Sequence, residues 1–215
     1  MSVPRYVVVT DFDGTAAERD VQQVILDALA DPDGWRAINR NWVLGRMTTA
    51  ERARAQWELI QGGQREVLRV LDSLCLDPGF ASFARLCEAR DFPLYIVSDG
   101  FDFYIQPLLE RAGLSHLPVI ANSLRYEDDM PRMEFLLQRS PDQYYGNDKT
   151  FVIEQVRRPG STLVFVGDGF SDRAAAHEAD LLFAKDKLAE YCIESNLPFE
   201  PFRTFDDIST YLQRP

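Results

Sequence analysis

Histidine, cysteine and positive charge are all scarce in this chain. Its two histidines, His116 and His177, have no metal-ligand spacing between them, so they offer no histidine-built metal centre and read as surface or packing residues. The three cysteines, Cys75, Cys87 and Cys192, are scattered, odd in number and lack a C-x-x-C pairing. That pattern supports neither a disulfide framework nor a zinc site, and it fits reduced thiols in a cytoplasmic protein. Lysine and arginine total 23 against 34 aspartates and glutamates, a net charge of −11. Nucleic acid and anionic membranes both demand a basic footprint that this composition does not supply. A small phosphorylated substrate stays compatible, because only the local field at its site matters. Long apolar runs are missing too, so no transmembrane segment is expected. The start, MSVPRYVVV, has no signal-peptide pattern, since its apolar run is short and ends in acids. There are no repeats and no low-complexity linker. What is present is a globular composition, 46% hydrophobic and 27% charged over 215 residues. That is enough for one sizeable core, or one core with a small satellite.

The stretch VVVTDFDGT at 7–15 stands out. Three β-branched residues run straight into two aspartates one residue apart, with Pro4 before the run and Gly14 after it. An unbroken apolar run of this kind reads as a strand buried on both faces, as in parallel sheets. Ligands of such sheets bind beyond the carboxyl ends of the strands, where Asp11 and Asp13 fall. If extended geometry persists, residues i and i+2 point the same way and the two carboxylates share one space. Acids that close repel unless a cation or a proton intervenes. For D-G alone an ordinary turn is the commoner explanation. A second acidic cluster at 167–172, tipping another apolar strand, favours a shared metal instead.

In chain order, Val21, Val24, Ile25, Ala28 and Leu29 mark a helix, which the D-P-D-G sequence at 31–34 is expected to end. Trp35, Ile38, Trp42 and Val43 mark a second helix. Thr48-Thr49-Ala50-Glu51 matches a capping box opening a third, stopped by Gly62-Gly63, and Val67, Val70, Leu71 and Leu74 mark a fourth. Residues 18–76 therefore read as a helical insertion, a small cap domain, with 1–17 and 77–215 forming the core. Beyond it, strands are expected at 94–98, 118–123, 162–169 and 181–184, alternating with helices at 80–86, 102–113, 149–157, 171–178 and 187–195. A hairpin is expected over 124–137 with Glu127-Asp128-Asp129 at its turn, and a short strand and helix over 199–213. Alternation of this kind means a doubly wound α/β core built on a parallel sheet.

Four points on that core carry polar groups at strand ends or helix starts: Asp11/Asp13, Ser98-Asp99-Gly100, Lys149, and Gly167-Asp168-Gly169 with Asp172. Singly, each has an ordinary structural explanation: a turn, a solvated lysine, an N-capped helix. Strand carboxyl ends share one sheet edge, so together they could converge. They supply a nucleophilic carboxylate, a second carboxylate, a hydroxyl with backbone donors, a cation, and further acids for a divalent metal. That is an inventory for phosphoryl transfer.

DFDGT at 11–15, VSDG at 97–100, Lys149 and GDGFSD at 167–172 resemble, in order and across nearly the whole chain, the four motifs of the haloacid dehalogenase superfamily of aspartate-nucleophile phosphatases. A helical insertion after the first motif resembles the C1 cap of the phosphoserine phosphatase-like branch. SDGFDFYIQPLLE at 98–110 and LLFAKDKLAEYCIESNLPFEPFRTFDDI at 181–208 are similar to the methionine-salvage phosphatases that act on 2-hydroxy-3-keto-5-methylthiopentenyl-1-phosphate. Those phosphatases often carry a cysteine-rich stretch before the third-motif lysine, whereas this chain has Tyr144-Tyr145-Gly146-Asn147-Asp148.

The resemblance implies an α/β Rossmannoid core with a small all-helical cap, Mg²⁺ as cofactor and a small phosphorylated metabolite as substrate. It implies Asp11 as nucleophile and Asp13 as general acid and base. The metal would be held by Asp11 and Asp168, by the Asp13 carbonyl, and with help from Asp172. Gly14, Thr15, Ser98, Asp99, Gly100 and Lys149 would surround the phosphate, Asp99 either through its N–H alone or with its side chain in the pocket. Trp35, Trp42, Arg46 and Arg52 are candidate cap contacts, with Phe101 and Phe103 at the mouth. Three alternatives stay open: a phosphoserine or other metabolite phosphatase, a phosphotransferase or phosphomutase, and a non-catalytic binding module. Monomer and homodimer are both compatible with the sequence.

Overall fold

A computed structural model of the chain describes residues 3–136 and 148–214. The Tyr144–Asn147 departure and the last residue of the expected hairpin therefore lie outside the described residues. Strand β1, Tyr6–Thr10, is buried along its whole length, as its β-branched run requires. It lies in a sheet with β2 (Leu94–Phe101), β3 (Val119–Glu127), β4 (Met130–Glu134), β5 (Thr162–Gly167), β6 (Leu181–Ala184) and β7 (Glu200–Pro201). Their spatial order is β4-β3-β2-β1-β5-β6-β7. All pairings are parallel except β3 with β4, which form an antiparallel hairpin. Thr10 pairs with Ile96 on one side and Val166 on the other. The chain passes outward through β2 and β3, then crosses back to β5, so the strand order reverses at β1. That reversal opens a crevice at its carboxyl end.

Alternation along β1 feeds two cores. Val8 joins a cluster with α1 (Val21–Leu29), α5 (Phe80–Ala89), α6 (Asp102–Arg111) and α10 (Phe205–Leu212). Val7 and Val9 face α7 (Lys149–Val156), α8 (Arg173–Glu178) and α9 (Asp186–Glu194). Helices on both faces of a mostly parallel sheet make the doubly wound fold that the alternation implied.

Between β1 and α5 come α1, α2 (Pro32–Val43), α3 (Thr49–Trp57) and α4 (Gln64–Leu71). Entry and exit of this segment run side by side: Ala17 bridges Leu76, and the Glu18 N–H donates to Cys75 O at 3.1 Å. The Thr48/Glu51 capping box is formed as expected. Helix α1 ends at Leu29, just before D-P-D-G as expected, but that stretch opens the next helix and is not a free turn. Asp31 caps α2, accepting the Gly34 N–H at 2.7 Å, and Pro32 occupies the first helical turn. Proline there gives up only an amide that helix starts leave unpaired anyway. The hairpin turn falls at Asp128 and Asp129, both with positive φ (49° and 63°), and Pro131 sits in the edge strand, where no ladder donor is missed. Strand β2 runs beyond the expected Ser98 to Phe101, with an irregularity in its pairing between Val97 and Phe101. No helix among the described residues is long and apolar enough to cross a membrane.

Candidate active site

Asp11 is still held in the β1 ladder, its N–H donating to Val166 O at 2.9 Å. Extended geometry stops there. Phe12–Ala16 is a wide turn that buries Phe12 and gives Gly14 a φ of 74°. Asp11 and Asp13 do line one cavity, as expected, but the turn brings them there and the strand alternation does not.

Lys149 opens α7 and is buried, with Nζ 2.5 Å from Asp11 Oδ1 and 2.6 Å from Asp172 Oδ1. Burial favours its neutral amine, but the charges of Asp11 and Asp172 outweigh it and raise its pKa. Burial, with Asp172 and Asp168 nearby, pushes Asp11 well above the usual carboxylate range, while Lys149 opposes the shift. Asp172 has no exposed surface and also accepts the N–H groups of Asp168 (3.1 Å) and Gly169 (2.9 Å), which folds the loop after β5 back on itself. Asp168 accepts Thr15 Oγ1 at 2.7 Å, and burial followed by the Asp172 charge raises its pKa to about 7. Ligand atoms of Asp11, Asp168 and Asp172 lie within 4.8 Å of one another. Three carboxylates against one ammonium leave excess negative charge, and an all-oxygen donor set of this kind fits a hard divalent cation.

Asp13 points to the other side of the cavity. Its Oδ1 accepts the Val21 N–H at 2.9 Å; its Oδ2 accepts Tyr104 OH at 2.9 Å and Ser98 Oγ at 3.3 Å. Burial, then the charge of Asp20, raises its pKa to about 7, against these hydrogen bonds. Ser98 Oγ also accepts the Gly100 N–H at 2.9 Å, and Asn122 Nδ2 donates to Asp99 O at 2.8 Å. These bonds hold the irregular end of β2 in place.

The cavity, about 180 Å³, gathers Asp11, Asp13, Ser98, Asp99, Gly100 and Asp168 from the sheet side. The helical segment contributes Asp20, Gln22, Trp35, Trp42, Arg52 and Gln56 among others. Arg52 lies over the Trp42 ring at 4.0 Å, and Trp42 meets Phe170 edge-on at 5.1 Å across the crevice. Arg46 does not reach the cavity; it is exposed and bonds Asn41 at 3.4 Å. Phe101 and Phe103 are also away from the mouth, packed against Trp57 and Tyr126 respectively. Sequence reasoning passed over Asp20 and Tyr104. An aspartate at a helix N-cap position was the available sign for Asp20, whose side chain accepts the Gln23 N–H. Nothing local marked Tyr104.

Residues 8–177 match the family model of the haloacid dehalogenase-like hydrolases. The chain belongs to that family. It is 31% identical to a Geobacillus kaustophilus protein and 29% identical to one from Geobacillus thermodenitrificans, covering 97% of this chain and 96% of each relative. Both relatives are named 2-hydroxy-3-keto-5-methylthiopentenyl-1-phosphate phosphatase. Among solved structures, a phosphoserine phosphatase captured as a phospho-aspartyl intermediate analogue superposes with a TM-score of 0.72. It is 18% identical, over 98% of this chain and 99% of that one, so the likeness speaks for the fold. This hydrolase thus carries its acid cluster where a Rossmannoid sheet of that family has its crevice.

Proposed function

We propose that this hydrolase is a Mg²⁺-dependent phosphatase of small phosphorylated metabolites, with 2-hydroxy-3-keto-5-methylthiopentenyl-1-phosphate as leading substrate. The observation that carries the chemistry is Asp11, held at the strand-order reversal beside a buried ammonium and two further carboxylates. The substrate rests on the names of the full-length relatives. Residues 1–17 and 77–215 are read as the catalytic core and 18–76 as a cap over it.

Asp11 attacks phosphorus in line, forming an aspartyl phosphate as the ester P–O bond breaks. Asp13, whose pKa of about 7 leaves it protonated part of the time near neutrality, protonates the departing alkoxide. It then takes the proton of the water that hydrolyses the aspartyl phosphate. Ser98, with the backbone of Asp99 and Gly100, faces the phosphate, whereas Gly14 and Thr15, expected beside it, are absent from the cavity lining and pack against Asp168. Lys149 keeps Asp11 oriented and adds positive charge. Asp11, Asp168 and the Asp13 carbonyl would hold Mg²⁺, with Asp172 supporting the loop behind them. When bound, the metal neutralises phosphate charge so that a weak carboxylate nucleophile can approach.

A second reading has one observation in its favour. Asp20 and Arg52, a carboxylate and a guanidinium, both line the cap end of the cavity and suit a zwitterionic headgroup such as that of phosphoserine.

Phosphate release across a panel containing the salvage ester, phosphoserine, sugar phosphates and a chromogenic ester tests both. Turnover that disappears in EDTA and in Asp11→Asn supports the chemistry, and the highest kcat/KM names the substrate. A folded, Mg²⁺-loaded protein inert on every ester refutes the phosphatase reading.

A further inference from the structure

Gly100 is not at a positive φ, so its backbone conformation does not demand glycine. Space does. A Cβ built there would lie 2.0 Å from Tyr104 OH and 2.5 Å from Asp13 Oδ2. The volume a side chain would fill is taken up by the hydrogen bond between these two groups, 2.9 Å long. Tyr104 belongs to the first turns of α6, directly after β2, and has no exposed surface. It is absent from the cavity lining, and the hydrogen bond that joins its hydroxyl to the cavity goes to Asp13. The Val21 N–H holds the other carboxyl oxygen at 2.9 Å. Gripped at both oxygens from opposite sides, the Asp13 carboxyl has no free rotation left.

We infer that Tyr104 is a positioning residue for Asp13, and that Gly100 is glycine so that the Tyr104 hydroxyl can reach it. The inference rests on the phosphatase reading above and deepens it. In the first half-reaction an Asp11 oxygen–phosphorus bond forms, the ester P–O bond breaks, and the Asp13 proton passes to the departing alkoxide. In the second, water oxygen bonds phosphorus, the Asp11–phosphorus bond breaks, and a water proton returns to Asp13. Both transfers need the carboxyl aimed at a reacting oxygen, and a misplacement of about 1 Å can slow such a step on the order of 100-fold.

The test is Tyr104→Phe, which removes one oxygen and keeps the ring, assayed with an alkyl phosphate and with p-nitrophenyl phosphate. Nitrophenolate departs without protonation, so its first turnover does not call on Asp13 as acid. The expected result is a fall in kcat for the alkyl ester of roughly 10- to 100-fold with KM held within about twofold, the range of a lost acid–base contribution. With p-nitrophenyl phosphate, a rapid first turnover survives and a slow steady state follows, giving a nitrophenolate burst that the wild type lacks. Both esters are compared on one preparation, so partial unfolding cancels from the ratio. An equal loss in the first turnover of both esters overturns the inference, as does no loss in either. A wild type inert on both esters, or an Asp11→Asn variant as active as wild type, would instead overturn the phosphatase reading and this inference with it.

Discussion

Lys149 Nζ lies 2.6 Å from Asp172 Oδ1, with both side chains almost wholly shielded from solvent. The same ammonium reaches Asp11 at 2.5 Å, so one cation serves two buried carboxylates. Lys149→Met in the metal-free protein leaves both acids without their counter-charge. Removing one member of a buried ion pair destabilises by about 3–5 kcal/mol, and urea unfolding should show a loss of that size. Phosphate release should fall by at least roughly 100-fold, the order expected when a charge at the reacting centre is removed. Adding Asp172→Asn to Lys149→Met should restore part of the stability and none of the activity.

Gly14 sits at φ 74°, and a Cβ there would come 2.5 Å from Asp168 Oδ2. Gly14→Ala should therefore act twice. The left-handed backbone costs about 1–2 kcal/mol for an L-residue, read as a lower urea midpoint. The clash displaces Asp168, so the Mg²⁺ concentration for half-maximal activity should rise as well. An unchanged Mg²⁺ titration would mean that Asp168 does not contribute to metal binding.

Asp129, at the tip of the β3–β4 hairpin, accepts the Gln64 N–H at 3.0 Å and so caps α4 from 65 residues away. Gly63, the residue before that helix, has no side chain to do so, and a Cβ on it would fall 2.1 Å from the Asp129 carboxylate. Asp129→Ala should lower stability by about 1 kcal/mol, the usual effect of losing an N-cap. Gly63→Ala should be worse, and combining it with Asp129→Ala should be milder than Gly63→Ala alone. Additive losses in thermal unfolding would show that the two residues are not in contact.

Glu51 closes the Thr48 capping box, and the backbone N–H of Thr48, then its hydroxyl, lower the Glu51 pKa below 4.5. A depressed folded pKa means stability present above the unfolded value and lost as pH falls through the folded one. The difference in melting temperature between wild type and Glu51→Gln should be greatest at neutral pH and should shrink below pH 4.5. A gap that stays constant down to pH 3 would assign the difference to packing rather than to charge.

Much of this molecule is legible in its sequence. The run at 7–9 reads as a strand buried on both faces, and β1 lies in the middle of the sheet, fully buried. The ordered acids at 11, 168 and 172 and the lysine at 149 do meet, because strand ends and helix starts in a doubly wound fold share one edge. The Thr48 box and the Gly113 helix stop, with φ 71°, were also readable, since both are backbone chemistry within a few residues.

What tertiary structure alone decided lies at long sequence separation. Tyr104 meets Asp13 across 91 positions, and Arg52 rather than Arg46 faces the cavity. Asp31-Pro32 opens a helix where a turn was expected, because turn and N-cap use the same residues and only the following helix tells them apart. Periodicity and motif order are local properties that survive in the unfolded chain's sequence. Which side chain fills the space left by a missing Cβ at Gly100 is set by how α6 packs against the turn after β1, and that packing exists only in the folded protein.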